Sequence, residues 1–152
     1  MLGASHPTRL RIPAIDVDAS GVIDLGLKPD GEMEVPTDGK AVGWYTESPT
    51  PGERGPAVLA AHVDWQGPGV FYDLHRLKAG DEVTVDRADG TSALFRVQRV
   101  EQYRKDQFPT LAVYGDVAGA ELRLITCGGE FDSVARSHHD NIVVYAGLAQ
   151  AG

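Results

Sequence analysis

The chain holds a single cysteine, Cys127, in 152 residues, so it can form no internal disulfide and no CxxC metal knuckle. That thiol is either a buried apolar side chain or a nucleophile. There is no run of eighteen apolar residues, and the first eight residues lack the basic and apolar regions of a secretory leader. Positive charge is also short. Fourteen Lys and Arg stand against twenty-two Asp and Glu, a net charge of −8 spread along the chain rather than gathered in a tail. Nucleic acid and anionic membrane surfaces are poor partners for such a chain. Low-complexity tracts and internal repeats are lacking too, and the length fits one ordinary domain.

What is present is a globular composition, 42% apolar and 24% charged, punctuated by 18 Gly and 9 Pro. So many turn residues favour short elements over long helices. Short apolar or alternating runs at 9–15, 19–25, 33–35, 57–62, 82–85, 92–103, 121–127 and 141–146 read as strands. Turn chemistry separates several of them, at Pro29-Asp30-Gly31, Asp38-Gly39, 49–52 and the hairpin signal Asp89-Gly90. The expected class is all-β, with eight strands closing a small barrel. Short helical pieces are expected only near 70–77 and 107–114. The domain is expected over 9–148, after a lead at 1–8 that is disordered or left from expression, and before a tail at 149–152.

Two strand ends carry candidate chemistry. The run Ala57-Val58-Leu59-Ala60-Ala61 ends in His62-Val63-Asp64, and Leu122-Arg123-Leu124-Ile125-Thr126 ends in Cys127-Gly128-Gly129. A glycine pair after a strand permits positive φ and leaves backbone N–H groups uncovered, which suits a tight turn and an oxyanion site equally. A free thiol with a pKa of about 8.5 is mostly protonated at neutral pH, so a nucleophilic cysteine needs a base nearby. His62 is the candidate, on condition that the two strands are neighbours. A core histidine and an inert thiol remain the plain alternative. Asp64 either orients the imidazole or caps the following loop.

The span 9–146 resembles a class F or class E sortase, one of the single-domain cysteine transpeptidases of Gram-positive actinobacteria. Arg9-Leu10-Arg11-Ile12-Pro13-Ala14-Ile15-Asp16-Val17 resembles the family's opening strand, and Val42-Gly43-Trp44-Tyr45 its following segment. Ala61-His62-Val63-Asp64, followed by Gly69-Val70-Phe71-Tyr72-Asp73-Leu74 and Leu77-Lys78-Ala79-Gly80-Asp81, resembles the region of the catalytic histidine. Thr126-Cys127-Gly128-Gly129 with Phe131-Asp132 resembles the nucleophile motif. The resemblance implies a closed eight-stranded sortase-type β-barrel with short helices in its connections. It implies that Cys127 attacks the Thr–Gly bond of an LPxTG-like sorting signal and that His62 protonates the leaving amine. The resulting thioester would pass to an amine from a peptidoglycan precursor or a pilin lysine. The partners implied are surface proteins or pilins bearing such signals, met by a monomer at the outer face of the cell membrane, with the membrane anchor outside this sequence. No metal or organic cofactor is called for. Residues 105–119 would help form the groove that reads the signal.

One position departs from the family pattern. Sortases usually place an Arg directly before Asp-Asn and an apolar strand, twelve residues after the cysteine, and here that position is His139, in Arg136-Ser137-His138-His139-Asp140-Asn141. His139 is therefore the expected third residue, with Arg136 the alternative. A metal site at His138, His139 and Asp140 is not expected, because adjacent strand residues point to opposite faces and no second ligand cluster accompanies them. An L,D-transpeptidase would hold its His and Cys close in sequence, whereas His62 and Cys127 are 65 residues apart. The other class of reading is a sortase-like barrel of impaired activity that binds sorting-signal peptides.

Overall fold

The computed structural model describes residues 2–26, 29, 41–62, 69–104, 119–127 and 140–151. Their nine strands are β1 (Pro7–Ile12), β2 (Val17–Ser20), β3 (Ile23–Leu25), β4 (Gly43–Tyr45), β5 (Gly55–His62), β6 (Glu82–Arg87), β7 (Ser92–Arg104), β8 (Ala120–Cys127) and β9 (Asp140–Ala151). They form one sheet in the order β2-β1-β6-β7-β9-β8-β5-β4-β3. The all-β fold is as expected, with nine strands in place of eight. Among the described residues no ladder joins the end strands β2 and β3, so the sheet curls without a closing pair.

The strand count rises by two changes. The run 19–25 breaks at Gly21, whose φ of 75° lies in the left-handed region that most side chains avoid, so its two halves join opposite ends of the sheet. The three-residue β4 was too short to show a period. The expected run 33–35 lies outside the described residues, as does the helical piece at 107–114. The other expected helix shrinks to a single 3-10 turn, Leu74–Arg76, and a second such turn, Pro13–Ile15, follows β1. Leu2 and Ser5, assigned from sequence to the lead, are hydrogen-bonded to the turn before β5: Leu2 N–H donates to Gly52 C=O and Ser5 N–H to Thr50 Oγ1. The Arg87 guanidinium also donates to Gly3 C=O.

β5 is buried at every residue, which explains its continuous apolar run where half-exposed strands alternate. One face gives Ala57, Leu59 and Ala61 to the main core with Leu10, Phe71, Phe95, Leu122 and Leu124. The opposite face gives Val58 to a smaller cluster with Ile125, Val143 and Tyr145, flanked by Tyr45 and Tyr103. This second face carries the candidate site.

Candidate active site

β5 and β8 pair in parallel along their length, from Gly55 opposite Ala120 to His62 opposite Cys127. The condition left open by the sequence, that these strands be neighbours, is met, and the two residues are register partners at the same end of the sheet. Neighbouring strands lie about 4.8 Å apart, and register partners in a parallel pair share a face. Alternation puts position 127 on the face of Arg123 and Ile125, and His62 on that of Val58.

Local bonds hold the strand ends. The C=O of His62, a residue only 4% exposed, accepts a hydrogen bond from Phe71 N–H at 3.1 Å, and the Phe71 ring is buried in the core. On the far side of β8, the ladder to β9 runs from Glu121 opposite Gly147 to Ile125 opposite Val143. One residue further, the Thr126 hydroxyl takes over and accepts from Ile142 N–H at 2.9 Å. Continued by two residues, the register sets Asn141 level with Cys127, and Asn141 is itself opposite Tyr103 on β7. His62, Cys127, Asn141 and Tyr103 thus fall in one row across four strands.

Below that row lies an aromatic and cationic brace that the sequence reading did not single out. Tyr145 stands in register with Arg99 on one neighbouring strand and Arg123 on the other. Their guanidinium carbons lie 3.8 Å and 4.7 Å from its ring centre. Arg123 is only 3% exposed, and its charge is met by Glu121 at 2.7 Å as well as by the ring face. The Tyr145 hydroxyl is 2.8 Å from that of Tyr103. Burial, with the adjoining Tyr103 hydroxyl, pushes the Tyr145 pKa up to about 12, against a smaller opposing pull from Arg99. The available signal was the alternation Arg123-Ile125-Cys127 and Val143-Tyr145, which shares a face but does not reveal which strands are neighbours.

His139, Arg136, His138 and Asp64 lie outside the described residues, as do Gly128 and Gly129. Among the described residues no three His, Cys, Asp or Glu side chains gather as a metal site. No helix among them is long and apolar enough to cross a membrane.

A family model for the sortase domain matches residues 10–149. The chain belongs to the sortase family. No curated protein matches it at the level of sequence. Among solved structures, it is similar to the lid mutant of sortase A from Corynebacterium diphtheriae, at 18% identity and a TM-score of 0.73, over 95% of this chain and 70% of that one. It is similar to sortase C-1 from Actinomyces oris at 21% identity, with a TM-score of 0.69, over 93% of this chain and 73% of that one. Sortase C1 of Streptococcus agalactiae in complex with MTSET gives 19% identity and a TM-score of 0.70, over 93% of this chain and 66% of that one. This chain thus spans just under two thirds of the latter relative. The likeness supports the fold, and sortases being cysteine transpeptidases, it directs attention to the single thiol.

Proposed function

We propose that the chain is a transpeptidase of the class F or class E sortase type, with Cys127 as nucleophile and His62 as its acid and base. The observation that carries this is the register partnership of His62 and Cys127 at the ends of two adjacent parallel strands. The Cys127 thiolate adds to the carbonyl carbon of the threonine in an LPxTG-like signal. The C–N bond to glycine then breaks, the leaving nitrogen takes a proton from His62, and a thioester remains on Cys127. An incoming amine adds to the thioester and yields its proton to His62. The sulfur leaves as thiolate, and the acyl group ends on the new amide. The Gly128-Gly129 backbone N–H groups and the side chain at position 139 are the candidate donors for the negative oxygen of each tetrahedral intermediate. Surface proteins or pilins with C-terminal sorting signals are the donors, and a peptidoglycan precursor or a pilin lysine is the acceptor, at the outer face of the cell membrane.

The test is a panel of sorting-signal peptides incubated with the chain and an amine, followed by mass spectrometry. Without amine, the expected product is a hydroxylamine-sensitive adduct on Cys127; with amine, a new amide. Cys127→Ala is expected to abolish both while the circular dichroism spectrum stays unchanged. A second reading is favoured by one observation, the His at position 139: a barrel that binds the signal and turns it over poorly. Saturable peptide binding with no adduct on Cys127 would establish that reading instead.

A further inference from the structure

A pocket of about 510 Å3 opens between residues 15–20 on one side and Gly69, Val70, Tyr72 and Asp73 on the other, and His62 is not among its described lining residues. Its first wall is β2, an end strand of the sheet. Among the described residues β1 is the sole ladder partner of β2, and no described strand pairs with its other edge, the kind of edge that another extended chain can join. Three of the pocket's lining residues, Ile15, Val17 and Val70, pack against the main core. Also in the lining is Tyr72, 46% exposed and the one large hydrophobic side chain so open among the described residues.

The charged residues described in the lining, Asp16, Asp18 and Asp73, are all acidic. Asp18 is already engaged by two hydrogen bonds from Arg9, at 2.7 and 2.6 Å. Among the described residues, Asp73 meets a loose contact with Arg76, at 3.8 Å. Asp16 is exposed, held at a φ of 59° where the 3-10 turn ends, and has no ion pair among the described residues. Among the described residues, Asp16 and Asp73 are thus left for a cationic partner, beside a strand edge that no described strand pairs and an aromatic surface. The second wall follows closely on the proposed acid and base, because Phe71, between the lining residues Val70 and Tyr72, is hydrogen-bonded to the His62 carbonyl.

We propose that this pocket binds the amine acceptor: an extended basic peptide segment lies along β2, sets its cationic side chains against Asp16 and Asp73 and an aliphatic stem over Tyr72, and leaves its reactive amine outside the pocket on the His62 side. The assignment rests on the transpeptidase reading above.

The test is an NMR titration of the 15N-labelled chain with acetyl-Ala-Lys-Ala-Lys-Ala-amide, beside the same peptide with norleucine for both lysines. Saturable shifts at 15–20 and 69–73 are expected, with the norleucine peptide bound about fivefold more weakly, as befits two partly solvated charge contacts. The double variant Asp16→Asn with Asp73→Asn should weaken the lysine peptide by a similar factor; Asn tolerates the left-handed backbone at position 16. Equal binding of the two peptides, shifts confined to other regions, or no saturation at about 10 mM, the weakest range worth calling a site, each overturns the proposal. Thioester formation on Cys127 is measured in parallel with donor peptide alone. A thioester without docking of the lysine peptide sinks the pocket and leaves the transpeptidase. Docking without a thioester keeps a basic-peptide site and removes the reaction it was assigned to.

Discussion

At the scale of single residues, position 139 decides how fast this sortase is expected to turn over. A neutral imidazole offers one N–H, and carries charge only near or below about pH 6.5, whereas a guanidinium is always charged and presents several donors in a rigid fork. Losing one well-placed oxyanion donor costs about 100- to 1000-fold in rate. His139→Arg is therefore expected to raise turnover by a factor approaching that range, and Arg136→Ala to change it little. The opposite ranking, measured with one peptide and one amine on folded variants, would assign the role to Arg136. Thr126 makes a second prediction. Its hydroxyl closes the gap where the β8–β9 ladder ends beside Cys127. Thr126→Val keeps the shape and removes the acceptor, leaving the Ile142 N–H without it at a cost of about 1 to 3 kcal/mol. Lower turnover with little change in peptide affinity is expected, and Thr126→Ser should restore it. A Thr126→Val enzyme as fast and as stable as the parent would remove that hydroxyl from the support of the site. His62 and Cys127 were legible as candidates because each ends an apolar run, but Thr126 was not, since a threonine in a strand carries no mark of which neighbour it bonds.

At the scale of elements, the parallel join of β3 and β4 depends on an atom that is missing. Gly43 lies opposite Ile23 on one side and Ala60 on the other, and a Cβ there would come within 2.8 Å of three carbons of the buried Leu25 side chain. Gly43→Ala is expected to destabilise the fold by about 1 to 3 kcal/mol, the usual cost of overpacking, read as a lower denaturant midpoint at unchanged slope. An unchanged midpoint would mean that β3 can move aside freely. Strands with strong patterns were legible: the runs at 57–62, 92–103 and 121–127 correspond to β5, β7 and β8 within a few residues. The 19–25 run was not, because its turn is carried by Gly21 alone, and one glycine inside an apolar stretch looks the same whether the strand bends or ends.

At the scale of the whole molecule, an acidic surface is tied together by carboxylates that must stay ionised. Hydrogen bonds from Arg9 lower the Asp18 pKa, and those from Thr91 lower that of Asp89. Burial raises that of Asp86, but bonds from Ser92 and Arg11 outweigh it and the net shift is downward. A depressed folded pKa contributes stability above the unfolded value, about 3.9, and the contribution is lost as pH falls through the folded one. The thermal midpoint is expected to hold above about pH 5 and fall below about pH 4, less steeply in Asp86→Asn. In alkali the sign follows from Tyr145, whose folded pKa of about 12 lies above the ordinary value of about 10. The unfolded chain gives up that proton first, so stability is lost as pH rises through this interval, and Tyr145→Phe should remove that part of the decline. A midpoint independent of pH in either range would show that these bonds do not persist in solution.

The sequence by itself determined the class of fold and the two strand ends that carry candidate chemistry, because alternation, turn residues and a lone cysteine are local properties that need no partner to be read. It also determined the departure at position 139, which is a matter of residue identity. Only the tertiary structure decided that β5 and β8 lie side by side with His62 and Cys127 in register, that Tyr145 is braced between Arg99 and Arg123, and that β2, an end strand among the described residues, borders a pocket. Each of these is a pairing between residues distant in the chain. Strand order is chosen by the burial of the whole sheet, to which every strand contributes at once, so no single run of residues contains it.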